Sequence, residues 1–321
     1  MGKADTITKD YIRRPDIFAD VFNKFLYHGR QRITSDRLVE LDTTEIALPY
    51  GADNATVPEQ RYRDVAKLLV SMTDGKAAYC ILAVENESKI NYAMPVKNGL
   101  YDFLQLARQV TETAKSHKKS DRNTASPTSD EYLSGFWRTD KLLPVVTLTV
   151  YFGADAWDGA LCLKEMYADC DEEILKYAAD YHMNLIAPCL LSDSEIDEFS
   201  TSFREIMKYI KYSSNGKKLR EAVNADERFK SVERQAVDVI NAVTSSKVRY
   251  SEGEEKIDMC IAIQEIKEEG RLEGRLEGEI IGIIRSDRRH KIPQEDTRRY
   301  LMEEYQKSEE EADSLIKEYW K

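Results

Sequence analysis

The stretch AAYCILAVENESKINYAMPVK, residues 77–97, begins as an apolar strand and then turns abruptly to charge. Residues 77–84 are apolar throughout, which is typical of a strand buried on both faces at the centre of a sheet. Glu85 and Glu87 follow with one residue between them, so an extended chain turns both to the same side, and Lys89 continues the row. The sequence therefore predicts a row of charged groups at one end of a central strand.

The residues before this stretch supply a further acid. Residues 64–71, DVAKLLVS, predict the preceding strand, and Asp74-Gly75 is a typical hairpin turn. If the two strands pair as a hairpin, Asp64 comes close to Glu85 at the open end. Converging carboxylates bind Mg²⁺, which prefers hard oxygen ligands and can activate water beside a phosphodiester. The alternative is that these acids are ordinary solvated charges at strand ends.

The surrounding pattern predicts an α/β domain. Apolar residues at helical spacing predict a helix over 16–27, and residues 38–48 predict a strand or hairpin arm. Another amphipathic helix follows Pro95, and residues 142–152 form the most apolar strand of the chain. The resulting order is helix, three strands, helix, strand, in a domain over residues 1–159.

The remaining chain predicts mostly helices. Ser192 and Glu195 match a helix-capping pattern for a helix that runs to residue 212, and helices are also expected over 217–223 and 231–245. We predict that residues 160–250 form a helical extension packed on the core. Residues 251–321 form a charged helical region, with a final pair of helices over 286–320 broken at Pro293.

The C-terminal region contains the repeat GRLEGRLEGEIIG. Its glycines recur every fourth residue, at positions 270, 274, 278 and 282, and so lie on nearly one face of a helix. Each glycine costs about 1 kcal/mol of helix propensity relative to alanine, so such a helix needs contacts with another helix to persist. We predict an oligomerisation element, most simply in a homodimer; the alternative is a compositional repeat in a frayed helix.

Composition excludes several classes of protein. The 321 residues carry a formal net charge of −11, so any nucleic-acid site must be local or must use metal ions. No apolar run is long enough to span a membrane, and the N-terminus lacks a secretory h-region. The five cysteines include no C-x-x-C pair and indicate reduced thiols in the cytoplasm rather than a zinc site or disulfide framework. The chain contains no nucleotide-binding glycine motif and no hydrolase nucleophile motif.

One local basic group follows the helix after Pro95. It consists of Lys115, Lys118, Lys119 and Arg122, with His117 among them, in a predicted loop beside the acidic site. These residues either contact DNA phosphates or form an ordinary solvated loop. The other histidines, at positions 28, 182 and 290, are scattered along the chain. One of the four could act as a general base, but we expect them to be ordinary surface histidines.

Several segments together resemble a known family. They are FADVFNKFLYHG, LDTTEIALPYG, RYRDVAKLL, AVENESKINYAMPVKNGLYDFLQLARQV and LLPVVTLTVYFGADAWDG, and they cover residues 16–159 in order. In this order and spacing they are similar to the Rpn family of recombination-promoting nucleases, also described as putative transposases or YhgA-like proteins. That family belongs to the PD-(D/E)XK nuclease superfamily, and EGRLEGRLEGE resembles its C-terminal region.

The resemblance implies a Mg²⁺- or Mn²⁺-dependent DNA endonuclease with roles in recombination, mobile elements or phage defence. It matches Asp64 and Glu85 to the metal-binding Asp and Glu. The third position commonly holds Lys in the superfamily and often Gln in the family, but here it is Glu87. Either Glu87 is a further metal ligand or Lys89 supplies the positive charge. An acid of the first helix often assists, and Asp20 is favoured over Asp16.

The departure at Glu87 also leaves a second function open. In that alternative the chain keeps the nuclease fold, has lost the chemistry, and acts as a nucleic-acid-binding or protein-interaction module. An arrangement of Asp64, Glu85 and Glu87 within metal-sharing distance would favour the enzyme.

Overall fold

The computed structural model describes residues 3–41, 69–72, 78–84, 90–119, 127–244 and 246–320. The chain forms two compact units. Unit 1 comprises Met1–Ser246 and Tyr250–Ile257, and unit 2 comprises Lys247–Arg249 and Asp258–Lys321. The predicted boundary at residue 159 falls within unit 1, and the division of this unit into a nuclease domain and a helical extension stays a prediction.

Unit 1 begins with two helices, α1 (Lys3–Ile12) and α2 (Pro15–Tyr27). The second was predicted over 16–27, and it starts with proline at its first turn, where the missing N–H costs nothing. It ends because His28 and Gly29 adopt left-handed backbone conformations. A Cβ on Gly29 would lie 2.8 Å from the carbonyl oxygen of Glu198, so this turn requires glycine. No sequence signal had indicated α1.

Five strands form one mixed sheet among the described residues. In chain order and in sheet order they are β1 (Leu38–Leu41), β2 (Leu69–Met72), β3 (Ala78–Val84), β4 (Val145–Tyr151) and β5 (Asn184–Ile186). The first three are antiparallel to one another, whereas β3, β4 and β5 are parallel. The chain is therefore α/β, and the order helix, three strands, helix, strand appears as predicted. Of the predicted strand residues, 42–48 and 64–68 lie outside the described ones.

A long helix forms the crossover connection between the parallel strands β3 and β4. This helix, α3 (Met94–Lys119), connects β3 to β4, and a short helix, α4 (Ser129–Ser134), precedes β4. Residues 147–151 of β4 are buried on both faces, as expected for a central strand. Thr147 and Thr149 bond to α3 side chains, whereas the ring of Phe152 packs edge-on against Phe203, with 6.2 Å between the ring centres.

The rest of unit 1 is mainly helical. Its helices are α5 (Glu172–Leu175), α6 (Asp193–Ile196), α7 (Phe203–Tyr212), α8 (Gly216–Asn224) and α9 (Arg234–Val243). Two short strands, β6 (Val232–Glu233) and β7 (Lys256–Ile257), pair antiparallel. The capping box of Ser192 and Glu195 is present, but the single helix predicted over 192–212 is wrong: it is two helices, α6 and α7.

Unit 2 contains three helices in its described part: α10 (Met259–His290), α11 (Gln294–Tyr305) and α12 (Glu309–Tyr319). The break at Pro293 was predicted, and this residue caps α11. A second break at Gln306 was not predicted. The three helices share an apolar cluster whose buried members are Ile280, Ile284, Leu301, Ala312 and Ile316. None of the described helices is both long enough and apolar enough to cross a membrane.

Candidate functional site

The residues of the predicted acidic site follow β3 in the sequence or precede β2, and they are outside the described part of the chain. These are Asp64, Glu85, Glu87 and Lys89. The structure does describe the strands that lead to them. Val84, the last residue of β3, pairs with Tyr151, the last residue of β4, so the two parallel strands end at the same edge of the sheet.

Aromatic and acidic side chains border this edge. Tyr92, which follows the acidic stretch, donates a hydrogen bond to Asp158 with 3.3 Å between the oxygens. Trp157 meets Tyr151 edge-on, with 5.4 Å between ring centres, and donates to the carbonyl oxygen of Gly159 at 2.9 Å. The negative charge of Asp158 and its hydrogen bond raise the pKa of Tyr92. Tyr92 thus contacts the segment that follows β4, close to the edge of the sheet where β3 and β4 end.

Asp20, the predicted helper acid, is a buried structural carboxylate. It is 2% exposed and lies on α2. The backbone N–H groups of Ser200 and Thr201 donate to it at 2.9 Å each, and their hydroxyls donate at 2.7 and 2.6 Å. Both carboxylate oxygens are thus occupied just before the start of α7. This environment supports a role in joining α2 to α7, not the predicted role beside a metal ion.

The same contacts explain why the helix predicted over 192–212 is interrupted. The backbone N–H groups of Ser200 and Thr201 bond to Asp20 rather than to carbonyl groups one turn earlier. A carboxylate at the start of α7 also faces the positive end of the helix dipole. The alternative helper acid, Asp16, is more exposed and pairs with Arg14 at 2.6 Å. Burial raises the pKa of Asp16, but Arg14 outweighs this effect and lowers it overall.

The basic group occupies a different place from the one predicted. Lys115, Lys118 and Lys119 form the exposed last turns of α3, not a loop, and Arg122 lies outside the described residues. Residue 115 is 21 residues along α3 from Met94, or about 32 Å at about 1.5 Å per residue. The lysines therefore lie at the far end of α3 and not beside the end of β3.

Contacts along α3 confirm its direction across the sheet. Near its start, Asn98 donates to the hydroxyl of Thr149 at 2.8 Å. Near its end, Gln109 bonds to both the N–H and the carbonyl of Leu143, at 2.7 and 3.1 Å, just before β4 begins. The helix thus runs opposite to β4, and the lysines lie at the edge where β4 starts.

His117 and Asp102 form two half-buried polar contacts on α3. The His117 ring stacks on Trp137 at 3.9 Å between centres, and its Nε2 atom lies 2.8 Å from Asp140 Oδ2. It is therefore held in place and is not the surface histidine that was expected. Asp102 accepts from Thr147 and, at 2.6 Å, from Tyr181; burial raises the pKa of Asp102 more than these bonds lower it.

One group of side chains in the described residues has the donor set of a transition-metal site. Cys162, Asp180 and His182 each offer a ligand atom, and these atoms lie within 4.8 Å of one another. The absence of a C-x-x-C pair had counted against a zinc site, and this group was missed. Its only local signal is the alternation of Asp180 and His182, since Cys162 joins them through the fold.

No protein-family model, curated protein or solved structure matches this chain.

Proposed function

We propose that this protein is a Mg²⁺- or Mn²⁺-dependent DNA endonuclease with a PD-(D/E)XK core. The order of elements supports this proposal. A helix, α2, precedes three antiparallel strands, and a crossover helix leads to a fourth strand parallel to the third. This is the arrangement of helix, three strands, helix and strand that the family resemblance implies for residues 16–159.

The register of β2 and β3 is the observation that carries the proposal. Leu69 lies opposite Cys80, and each step back along β2 matches a step forward along β3. Counting five residues back from Leu69 reaches position 64, and five forward from Cys80 reaches position 85. Residues directly opposite in an antiparallel pair have Cβ atoms about 5 Å apart on the same face. We propose that Asp64 and Glu85 share a metal ion in this way.

The donor chemistry fits the proposed metal. Asp64, Glu85 and Glu87 offer only hard carboxylate oxygens, which Mg²⁺ and Mn²⁺ accept readily. Such an ion supplies an activated water and stabilises charge on the phosphodiester under attack. Lys89 supplies the positive charge that lysine commonly gives at the third position in the superfamily, unless Glu87 is itself a ligand.

DNA is the proposed partner, and the lysines of α3 would bind it away from the cut. Their distance of about 32 Å from the start of α3 is close to one turn of B-DNA, roughly 34–36 Å. We propose that Lys115, Lys118, Lys119 and Arg122 hold phosphates about one turn from the cleaved bond. Because the net charge is −11, this local group is needed to offset repulsion. The proposal includes a cytoplasmic location, where the thiols stay reduced.

A nicking assay on supercoiled plasmid with Mg²⁺ or Mn²⁺ tests the activity. We expect the parent chain to nick DNA, and Asp64→Ala and Glu85→Ala to abolish both nicking and the calorimetric signal of metal binding. Glu227→Ala, in an exposed turn, is the matched control and should cleave normally. Unchanged metal binding in Asp64→Ala would refute the site.

Two substitutions then separate the roles at the third position. Lys89→Ala should reduce cleavage about 10²–10³-fold if this lysine stabilises the developing charge. Glu87→Gln, which introduces the residue frequent in the family, should be tolerated. Normal cleavage by Lys89→Ala would exclude the lysine role.

The alternative function is a non-cleaving module that binds nucleic acid or protein, and the acid at position 87 is the observation that favours it. An acid cannot replace the positive charge of lysine. If the parent chain, Lys89→Ala and Glu87→Gln all fail to cleave while the parent still binds DNA, the non-cleaving function is correct.

A further inference from the structure

A second cluster of ligand atoms lies in unit 1, in residues that the proposed nuclease function does not use. It is formed by Cys162, Asp180 and His182, whose donor atoms all lie within 4.8 Å of one another. Cys162 is buried, Asp180 is half-buried and His182 is exposed. The cluster thus combines a protected thiol with an imidazole that solvent can reach.

Backbone pairing brings two of these residues together. Cys162 and His182 form an antiparallel bridge. The flanking groups make its hydrogen bonds: Leu163 N–H donates across the bridge at 3.1 Å, and Met183 N–H donates back at 2.9 Å. Cys162 and His182 are therefore a non-hydrogen-bonded pair, the kind in which the Cα atoms approach to about 4.5 Å and the side chains lie closest.

Asp180 joins the pair because it is two residues before His182 and so shares its face of the chain. Tyr181 between them points away and bonds to Asp102 at 2.6 Å. One oxygen of Asp180 accepts the N–H of Lys164 at 3.3 Å, and the other lies 3.7 Å from Nε2 of His182. The backbone bond fixes the carboxylate, and its second oxygen is directed into the cluster.

We propose that Cys162, Asp180 and His182 bind a Zn²⁺ ion. A thiolate, an imidazole and a carboxylate are all established zinc donors, and the soft thiolate disfavours Mg²⁺. Donors around one tetrahedral zinc are roughly 3.3–3.8 Å apart, given bond lengths of about 2.0–2.3 Å. The distance of 3.7 Å between His182 Nε2 and Asp180 Oδ2 already fits this range, small side-chain rotations bring the remaining donors to it, and a water completes the tetrahedron.

Lys164 is the competing partner. Its Nζ atom lies 3.5 Å from Asp180 and partly neutralises the carboxylate when no metal is bound. The Lys164 side chain is 55% exposed, so it can leave without burying an unpaired charge. Zinc binding therefore replaces a weak surface ion pair with three metal–ligand bonds.

The bound ion would stabilise one part of unit 1. It would join residue 162 to residues 180–182 and so close the segment between them, which lies just before β5 in the chain. A ligand that binds only the folded state raises stability in proportion to the logarithm of its concentration over its dissociation constant. Zinc should therefore raise the melting temperature of the full chain.

Cobalt spectroscopy and zinc calorimetry test this site on the full-length, untagged, reduced and metal-stripped chain. Co²⁺ should give a thiolate-to-metal charge-transfer band that Zn²⁺ removes. His182→Ala should weaken zinc binding at least about 100-fold, since even the loss of groups behind the ligands costs 10–100-fold. Cys162→Ser should lose the band. Circular dichroism checks that each variant is folded, and His182→Ala is the safer variant because its side chain is exposed.

Two controls separate this site from other thiols and from the nuclease site. Cys170→Ser removes an exposed thiol outside the cluster and should keep the band. Asp64→Ala should also keep it, so a failed nuclease proposal and a failed zinc proposal give different results. Zinc affinity weaker than about 10 µM in the parent, or unchanged binding in both His182→Ala and Cys162→Ser, would overturn the inference.

Discussion

Asp20 shows how one side chain can decide between a catalytic and a structural role. Both of its oxygens accept hydrogen bonds from Ser200 and Thr201, and the group is buried. Asp20→Asn keeps the shape but removes the charge and places an NH₂ group among donors. We expect it to lower the free energy of unfolding by about 2–4 kcal/mol, measured by urea denaturation.

The control for this prediction is Asp16→Asn, at a more exposed acid of the same helix. It should change stability by less than about 1 kcal/mol, because its ion pair with Arg14 is partly solvated. If Asp20→Asn instead leaves stability unchanged and abolishes cleavage, the structural role is wrong and the helper-acid role is correct.

The residues that were missed share a physical feature. Cys162 meets His182 only through an antiparallel bridge, and His117 meets Trp137 only where the end of α3 packs on the following loop. Sequence patterns report neighbours on one helix or strand and carry no record of such tertiary pairs.

At the scale of elements, sequence reasoning succeeded where burial set the pattern. The strand predicted over 142–152 is β4, Val145–Tyr151, and the helix predicted over 16–27 is α2, because each has a continuous apolar face. It failed where polar tertiary bonds decided the outcome, as between α6 and α7. It also assigned Lys115–Lys119 to a loop, although lysine and histidine in the last turns of a helix oppose its dipole favourably.

The lysines at the end of α3 should govern the salt dependence of DNA binding. Replacing Lys115, Lys118 and Lys119 together with glutamine should weaken binding for all DNA sequences. The slope of log affinity against log salt should fall by about 3, since each phosphate contact contributes about 0.9. Binding is measured by anisotropy in EDTA, so that no cleavage occurs.

A matched control uses basic residues on another element. Lys217→Gln with Lys218→Gln, at the start of α8, removes two exposed charges where the α3 variant removes three, and should change the slope by much less than two thirds of the α3 effect. An unchanged slope in the α3 variant would show that its lysines do not contact DNA, and would return them to the role of a solvated helix end.

Helix α7 carries a buried network of charges that predicts acid sensitivity. Asp226 accepts from Arg204 and from Lys208, at 2.5 and 2.8 Å, and both of these basic side chains are nearly buried. Burial raises the pKa of Asp226, but Arg204 and Lys208 outweigh it and lower the pKa from 3.8 to about 2. Asp226 therefore stabilises the fold above its unfolded pKa, and this contribution is lost as the pH falls from about 4 to about 2.

Asp226→Asn tests this contribution. At neutral pH this substitution should lower the free energy of unfolding by about 2–3 kcal/mol. This is at the low end for breaking a buried ion pair, because Asp197 also contacts Arg204 and Lys208. The difference between the unfolding free energies of parent and variant, measured by urea denaturation, should shrink as the pH falls below about 4. A difference that stays constant down to the lowest pH at which the chain is folded would contradict the lowered pKa of Asp226.

Glu205, also on α7, should contribute with the opposite sign. Burial raises its pKa more than Arg204 and Arg228 lower it. The folded state therefore binds this proton more tightly than the unfolded state, and the contribution is present at low pH and lost as the pH rises through the folded pKa. Glu205 is present in both parent and Asp226→Asn, so the part of its effect that is independent of Asp226 cancels in the comparison, whereas the part that acts through the shared Arg204 does not.

At the scale of the whole molecule, helix α10 of unit 2 is only partly covered by the other two helices of that unit. Ile280 and Ile284 of α10 are buried against α11 and α12. Earlier on the same helix, Leu272 and Leu276 are each about half exposed, at 48% and 49%. A Cβ added at Gly270, Gly274, Gly278 or Gly282 would meet no atom within 4 Å among the described residues, apart from the neighbouring backbone of its own helix. The end of α10 therefore packs on other helices of unit 2, the glycine row is open among the described residues, and the homodimer contact stays a prediction.

This open row gives a sharp test of the proposed homodimer. Gly274→Ala with Gly278→Ala should stabilise an isolated helix by about 2 kcal/mol in sum, since each glycine costs about 1 kcal/mol. If the glycines instead let two copies of α10 approach closely about a two-fold axis, the added methyl groups should separate the dimer. We expect light scattering to show a dimer for the parent at about tens of micromolar and a monomer for the variant.

The control is Glu265→Ala with Glu279→Ala, two exposed acids on another face of the same helix, which should remain dimeric. A dimer would also supply two nuclease sites, one for each DNA strand. Two outcomes would refute the proposed dimer in different ways. A parent that is monomeric at these concentrations removes the dimer altogether. A variant that gains helix stability and stays dimeric shows that copies meet through another surface, for which the exposed Leu272 and Leu276 are the next residues to substitute.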